Sequence, residues 1–133
     1  MIRLTEDRYL GPRVETTECV IDDVQVALAA VKRLNGRDRS CMLLESEDSH
    51  ALLIGGGNDD RYIVTFTVNI DEELYDAVDN TRDADVELKV VTGGQAGTFP
   101  ARNCLRLLAA LEATRHFVAT ASMSPQLDWQ RST

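Results

Sequence analysis

Residues 50 to 69 read HALLIGGGNDDRYIVTFTVN, and this stretch decides the class of fold. Two apolar runs, His50–Ile54 and Arg61–Asn69, flank a segment made of glycine, asparagine and aspartate. The second run is rich in β-branched and aromatic residues, which favour strands, whereas glycine and asparagine favour tight turns. The stretch therefore predicts a β-hairpin.

The second strand of this hairpin is predicted to have one more apolar face. Side chains alternate between the two faces of a strand, so every second residue shares a face. Ile63, Thr65 and Thr67 lie on the less apolar face. The more apolar face, which we expect to pack on a core, carries Tyr62, Val64, Phe66 and Val68.

A helix is predicted before the hairpin, over residues 22–36. Asp22 and Asp23 suit the N-cap and the positive end of the helix dipole. Asn35-Gly36 marks the C-terminal end, because glycine and asparagine accept the conformation that closes a helix. Apolar residues recur at helical spacing, at Val24, Leu28, Val31 and Leu34.

Further elements are predicted on both sides of these. Ser40–Glu45 is a short apolar strand, and Asp83–Thr92 alternates as a half-buried strand with Val86, Leu88 and Val90 inward. Arg13–Val20 is compatible with a short strand. Asp71–Asp79 (DEELYDAVD) predicts a short helix or turn, because Leu74 and Val78 are four residues apart.

A second helix is predicted over roughly Asn103–His116, with Asn103 as its N-cap. The tail Phe117–Thr133 fits either one more short strand or a coil, with Trp129 as a plug on the core. Helix, hairpin strands and helix in this order predict an α+β fold. We expect one domain over residues 1–133, with an antiparallel sheet of four to six strands and two main helices packed on one face.

Cysteine usage and hydropathy predict a cytoplasmic protein. Cys19, Cys41 and Cys104 are odd in number and far apart, which predicts buried, reduced thiols instead of disulfides or a zinc site. The N-terminus MIRLTEDRYLG lacks the apolar core of a signal peptide, and no run approaches the ~20 apolar residues of a membrane span.

Motifs of catalysis and of cofactor binding are missing from the sequence. There is no Gly-x-Ser-x-Gly elbow, and His50 and His116 are the only histidines. Gly55-Gly56-Gly57 ends in Asn58-Asp59-Asp60, whereas a phosphate loop ends in Gly-Lys-Ser/Thr. We therefore expect no enzyme, cofactor or metal, although paired carboxylates in a cleft would still permit acid–base catalysis.

The acidity of the chain is confined to one segment. Between Glu45 and Glu87 there are thirteen acidic and two basic residues, a formal charge of −11, whereas the remaining nine acids and twelve bases give +3. Such a segment is either a solvated face without a partner or a surface that steers a basic partner, and it disfavours nucleic acid. The contact candidates are Asp59, Asp60, Asp71, Glu72, Glu73, Asp76, Asp79, Asp83, Asp85 and Glu87.

The last third of the chain carries a family resemblance. Thr98-Phe99-Pro100 precedes the second helix, Phe117 comes after it, and Pro125-x-Leu127-x-Trp129 closes the pattern. Leu34-Asn35-Gly36, Leu53-Ile54-Gly55 and Tyr62 continue it towards the N-terminus. Residues 18 to 130 resemble the Imm1 family of bacterial immunity proteins. Ala121-Ser122-Met123-Ser124 stands where that family usually has a glycine.

The resemblance implies a function that the charge pattern also favours. It implies a non-enzymatic inhibitor of a cognate secreted toxin, and the toxins paired with this family are often nucleic-acid deaminases. A deaminase needs a basic groove for its polyanionic substrate, and an acidic protein can occupy that groove. The alternative is an adaptor or chaperone that escorts a secreted effector by binding an unfolded or signal region.

Overall fold

A computed structural model describes residues 1–69 and 72–132 of the chain. The helices are α1 (Val24–Arg33) and α2 (Leu107–Thr120), and short 3-10 turns lie at Asn58–Asp60 and Ala101–Asn103. The strands are β1 (Ile2–Leu10), β2 (Arg13–Ile21), β3 (Cys41–Glu45), β4 (Ala51–Gly56), β5 (Tyr62–Val68), β6 (Glu73–Val78), β7 (Glu87–Thr92), β8 (Gln95–Pro100) and β9 (Asp128–Arg131).

Seven of these strands form one antiparallel sheet in the order β2-β1-β3-β4-β5-β6-β9. The other two, β7 and β8, form a separate hairpin. The α+β class and the antiparallel sheet are therefore confirmed. The expected four to six strands were slightly too few, because β1 and β2 pair along their full lengths and β6 is a strand.

The predicted hairpin is β4 and β5, and it is closed by glycines that no other residue could replace easily. Gly56 and Gly57 have φ values of 101° and 109°, which favour glycine. A Cβ atom on Gly57 would lie 2.5 Å from the carbonyl oxygen of Leu34, at the end of α1. The glycine run therefore serves a tight turn packed against the first helix.

The core lies between the two helices and one face of the sheet. Leu4, Leu44, Leu52 and Phe66 stand directly opposite one another on β1, β3, β4 and β5, and each is at most 3% exposed. Val31 of α1 and Phe117 of α2 complete this cluster, and the helices contact each other. Burial of these side chains supplies the main stabilisation, at about 1.5–3 kcal/mol for each large apolar residue.

The first helix follows its prediction closely. Asp23 is the N-cap and accepts a 2.8 Å hydrogen bond from the backbone N–H of Gln25, which satisfies one free donor of the first turn. The second helix begins at Leu107 instead of Asn103, because Ala101–Asn103 forms a 3-10 turn and Leu105 pairs with Tyr62 in an isolated bridge.

Trp129 and the thiols also have defined positions. The Trp129 ring lies 6.4 Å from that of Phe66 between centroids, so its prediction as a plug on the core is confirmed. The prediction of three buried thiols was wrong, since Cys19 is exposed, Cys41 is half-buried and only Cys104 is buried.

No helix in the described part of the chain is long and apolar enough to cross a membrane.

Candidate functional site

Asp60 lies at the start of α2 although it belongs to the turn after β4. One of its carboxylate oxygens accepts a 2.8 Å hydrogen bond from the backbone N–H of Leu107, the first residue of the helix. Arg106, at the N-cap position, offers no side-chain cap of its own. Asp60 therefore caps the second helix from a distant part of the chain, in place of the predicted Asn103.

Asp79 lies at the same end of the molecule, and the carboxylates of Asp60 and Asp79 both interact electrostatically with Arg106. The Asp60 carboxylate is 3.9 Å from the Arg106 guanidinium. Hydrogen bonds from the hydroxyl and the amide of Thr81 lower the pKa of Asp79, with smaller contributions from Arg82 and Arg106. With the exposed Asp59, these acids form one cluster, here called the α2 end, but two of them already hold the structure together.

Strand β6 separates two other candidates onto opposite faces of the sheet. Glu73 is 3.2 Å from Arg131 in an ion pair and accepts a hydrogen bond from the Tyr75 hydroxyl on the helix side. Asp76 accepts a 2.9 Å hydrogen bond from Thr65 on the other side. Because residues 73–78 form a strand, and not the predicted helix or turn, these carboxylates do not share a surface.

The remaining candidates lie at two further places. Glu72 is exposed beside Asn69 and precedes β6, whose six residues put it about 20 Å from Asp79. Asp83, Asp85 and Glu87 are exposed in and just after the segment that leads into β7. Asp71 lies outside the described residues. The acidic segment therefore forms several separate clusters instead of one surface.

The face of the sheet opposite the helices, here called the hairpin face, is only partly covered. Thr5, Leu43, Leu53, Thr65 and Asp76 stand opposite one another in a row across β1, β3, β4, β5 and β6. Leu53, in the middle of this row, is 42% exposed. The β7–β8 hairpin covers the neighbouring positions and leaves this row accessible.

A groove separates the hairpin from the sheet. Its floor includes Leu53, Ile63 and Thr65, and its wall includes Thr92 and Phe99 from the hairpin. The groove has a volume of about 320 Å³, close to the lower limit of ligand pockets. It is therefore an apolar recess of a size that suits one bulky side chain.

The sheet face that contains this groove carries more acidic than basic residues. By strand alternation and register, the hairpin face carries one basic residue of the sheet, Arg3, against five acidic ones. The acidic residues are Asp7, Glu18, Glu45, Asp76 and Asp128. Within residues 1–69 and 72–132 none of these five lies in an ion pair, whereas Glu6 and Glu73 on the helix side pair with arginines.

Ionisable side chains that could act in catalysis have structural partners. His50 contacts the carbonyl oxygen of Ala121 at 3.0 Å, and His116 contacts the Ser122 hydroxyl at 3.1 Å. Burial raises the pKa of the Cys41 and Cys104 thiols, which keeps them protonated and weakly nucleophilic. Among the residues that the structure describes, no cluster of acidic, cysteine or histidine side chains is arranged to hold a metal ion.

A family model described as Immunity protein Imm1 matches residues 14–131. The chain belongs to the Imm1 immunity protein family. The match includes α1, α2 and every strand from β2 to β9 except the first residue of β2, whereas β1 precedes it. No match was found among curated proteins.

The residues that carry the Imm1 resemblance occupy two sites. Phe117 and Trp129 pack on Phe66, with ring centroids 6.1 and 6.4 Å away, so they maintain the core. Phe99 of the Phe-Pro step lies instead in the wall of the groove, at the end of β8. One part of the Imm1 pattern therefore belongs to the fold and another borders an accessible surface.

The groove of this Imm1 chain was missed at the level of sequence. The alternation of Ile63, Thr65 and Thr67 already indicated a less apolar second face on β5. That signal did not show that Leu43 and Leu53 stand on the same face, because strand register joins residues from three strands. Asp7, Glu18 and Asp128 lie outside the acidic segment and were missed for the same reason.

Proposed function

We propose that this Imm1 protein is a non-catalytic inhibitor that binds a cognate secreted toxin domain and covers its substrate site. Membership of an immunity protein family supports binding of a toxin as the general role. The confinement of a formal charge of −11 to residues 45–87 supports a basic partner. We further propose that the toxin is a nucleic-acid deaminase and that the inhibitor acts in the cytoplasm, where that substrate is present.

Electrostatics explains why an acidic inhibitor suits such a toxin. Enzymes that act on nucleic acid line the substrate channel with arginine and lysine, which contact phosphates. Carboxylates on the inhibitor can occupy the positions of those phosphates and so prevent the substrate from entering. Attraction between opposite charges also raises the association rate, to about 10⁸–10⁹ M⁻¹s⁻¹ in strongly steered complexes.

Complex formation requires more than charge. A specific interface buries on the order of 800 Å² per partner, and a few desolvated side chains set its lifetime. The α2 end and the hairpin face each combine carboxylates with an exposed leucine, namely Leu108 at 81% and Leu53 at 42% exposure. Both surfaces therefore have the composition that an interface with a basic protein needs.

The test is neutralisation of an isolated toxin domain, taken from a gene adjacent to the one that encodes this chain. The isolated toxin domain, produced alone in bacteria, should arrest growth and deaminate bases in added nucleic acid. Co-production of this chain should restore growth, and an equimolar amount should abolish base conversion in vitro. A catalytic mechanism would instead show turnover, with inhibition at substoichiometric amounts.

Two outcomes would contradict the proposal. If the chain binds the toxin-bearing protein but does not rescue cells from the isolated toxin domain, it is an escort for secretion. If the neutralised toxin has another activity, the deaminase assignment is wrong while the inhibitor role stands. A charge-matched acidic protein of unrelated fold serves as the control for non-specific binding.

A further inference from the structure

We propose that the hairpin face is the toxin-docking surface, and that the groove beside the β7–β8 hairpin receives an aliphatic or aromatic side chain flanked by lysine or arginine. This inference rests on the proposed function, because it takes the toxin as the partner. It goes beyond that function by choosing one surface and by stating the chemistry of the toxin residue that enters it.

The shape of the groove follows from where the hairpin contacts the sheet. A Cβ atom on Gly55 would lie 2.7 Å from a methyl carbon of Thr92, so the Thr92 side chain of the hairpin packs directly on β4 at that glycine. Two residues earlier on the same strand, Leu53 remains 42% exposed. The recess is therefore closed at Gly55 by the hairpin and open to solvent above Leu53, which forms part of its floor.

Its lining is suited to an apolar anchor. Leu53 and Ile63 supply aliphatic floor, and the Phe99 ring supplies one wall. Apolar recesses that accept one bulky side chain are common at the centres of tight protein interfaces, where surrounding contacts exclude water. A volume of about 320 Å³ holds such a side chain but encloses little of a larger organic ligand.

The acidic residues near the groove indicate a basic partner. Asp76 lies on the same row as Leu53, two strands away, which is about 10 Å. Glu45 is two residues along β3 from Leu43, and Asp7 contacts the Cys41 thiol beside the groove. These carboxylates would repel a second copy of the same acidic face, so the occupant we assign is a basic protein surface.

The α2 end is the rival surface, and a cation lies next to its carboxylates. Asp60 caps α2 at Leu107, and Asp79 closes its turn through Thr81. Arg106 lies close to both and offsets their charge. On the hairpin face the described strands carry one basic residue, Arg3, against five acidic ones. Arg102 lies beside Asp76 at one edge, where it donates a hydrogen bond to Gln130, and the face as a whole stays negative.

Two leucines provide a matched test, since each is exposed and lies on one of the two surfaces. Affinity for the isolated toxin domain should be measured for Leu53→Arg and Leu108→Arg by surface plasmon resonance, with growth rescue measured in parallel. We expect Leu53→Arg to raise Kd at least about 100-fold and to abolish rescue, because it fills the groove with a charge of the wrong sign. Leu108→Arg should change Kd less than about threefold.

A second variant guards against misfolding. Leu53→Ser removes the apolar floor without adding bulk, and it should raise Kd at least about tenfold while keeping the wild-type melting temperature. Wild-type affinity in folded Leu53→Arg, or a loss confined to Leu108→Arg, would overturn this inference and leave the inhibitor function intact. Failure of the wild-type chain to bind any toxin would overturn the function itself and this inference with it.

Discussion

The hydroxyl of Ser124 donates a hydrogen bond to one carboxylate oxygen of Glu112 and thereby ties the C-terminal tail to α2. Ser124 is 1% exposed, and its carbonyl oxygen accepts a 2.9 Å hydrogen bond from the indole N–H of Trp129. Glu112 also forms an ion pair with Arg115 at 2.8 Å. Two short contacts thus connect the helix, the tail and the tryptophan that closes the core.

Replacing Ser124 with alanine should destabilise the protein by about 1.5–3 kcal/mol, because a hydrogen bond to a charged group is lost in a buried place. Urea denaturation monitored by tryptophan fluorescence measures the free energy of unfolding, and Trp129 is the only tryptophan. Ser132→Ala, on an exposed hydroxyl in the same tail, is the control and should change little. Equal effects of the two changes would remove the proposed role of the Ser124–Glu112 contact.

The stability that Glu112 provides should depend on pH. Burial raises the pKa of Glu112, but hydrogen bonds from Ser124 and Arg115 outweigh it, and the net shift is downward. A lowered pKa in the folded state means that the stabilisation is complete above the unfolded pKa of about 4.3 and is lost as pH falls through the folded value. Glu112→Gln should therefore be less stable than wild type at pH 7, and the gap should close in acid.

A series of urea denaturations at pH 7, 5, 4 and 3 checks this behaviour. A constant gap between wild type and Glu112→Gln across the series would show that loss of the side-chain contacts, and not the charge of Glu112, causes the difference.

Replacing Ala121 with glycine should stabilise the protein by about 0.5–1 kcal/mol. Ala121 ends α2 with a φ of 53°, a left-handed conformation that glycine adopts at lower cost. It lies in the stretch where the Imm1 family usually has a glycine. Thermal unfolding should show a higher melting temperature for Ala121→Gly, and a lower one would mean that the methyl group contributes more through packing than it costs in strain.

Replacing Asp60 with alanine should cost about 0.5–2 kcal/mol, because the first N–H of α2 loses its acceptor. Asp59→Ala is the matched control, since the Asp59 side chain is 72% exposed and its single ion pair, with Arg61 at 3.9 Å, is long and weak. Circular dichroism during urea denaturation compares the two variants. Equal stability would show that the contact between Asp60 and Leu107 contributes nothing.

Charge reversal on β6 should show which face of the sheet binds the toxin. Asp76→Lys should slow toxin association roughly 3–10-fold at low salt, with the difference shrinking at high salt through screening. Glu73→Lys lies on the helix side, where Glu73 already pairs with Arg131, and should slow association by less than twofold. Stopped-flow measurements at several salt concentrations test this, and a larger effect of Glu73→Lys would place the toxin on the helix side.

Local sequence patterns predicted the structure correctly where a segment's conformation does not depend on distant residues. The Asp23 cap and the helical spacing up to Leu34 predicted α1, and the glycines at 55–57 predicted the turn of the β4–β5 hairpin. β6 was misassigned because Leu74 and Val78, four residues apart, fit both a helix and one face of a strand. Pairing with β5 and β9 decides for the strand, and no local pattern contains that information.

Features that join distant segments could not be predicted in the same way. The start of α2 depends on Asp60, a residue 47 positions before the N–H that it caps. The predicted acidic surface likewise assumed that neighbours in sequence stay neighbours in space, but strand alternation sends Glu73 and Asp76 to opposite faces. The groove needed the register of β3, β4 and β5 as well as the position of Phe99.

Leu43 and Leu53 lie on the hairpin face, outside the cluster that contains Phe66, Phe117 and the helices. Substitutions at Leu53, which is 42% exposed, therefore meet fewer constraints from folding than substitutions in that cluster. With the hairpin face as the proposed docking surface, a lineage that acquires a new toxin can change this face in small steps while the helices and the buried face of the sheet remain as they are. Under the docking mode proposed above, one face of the sheet maintains the architecture and the other determines which toxin is recognised.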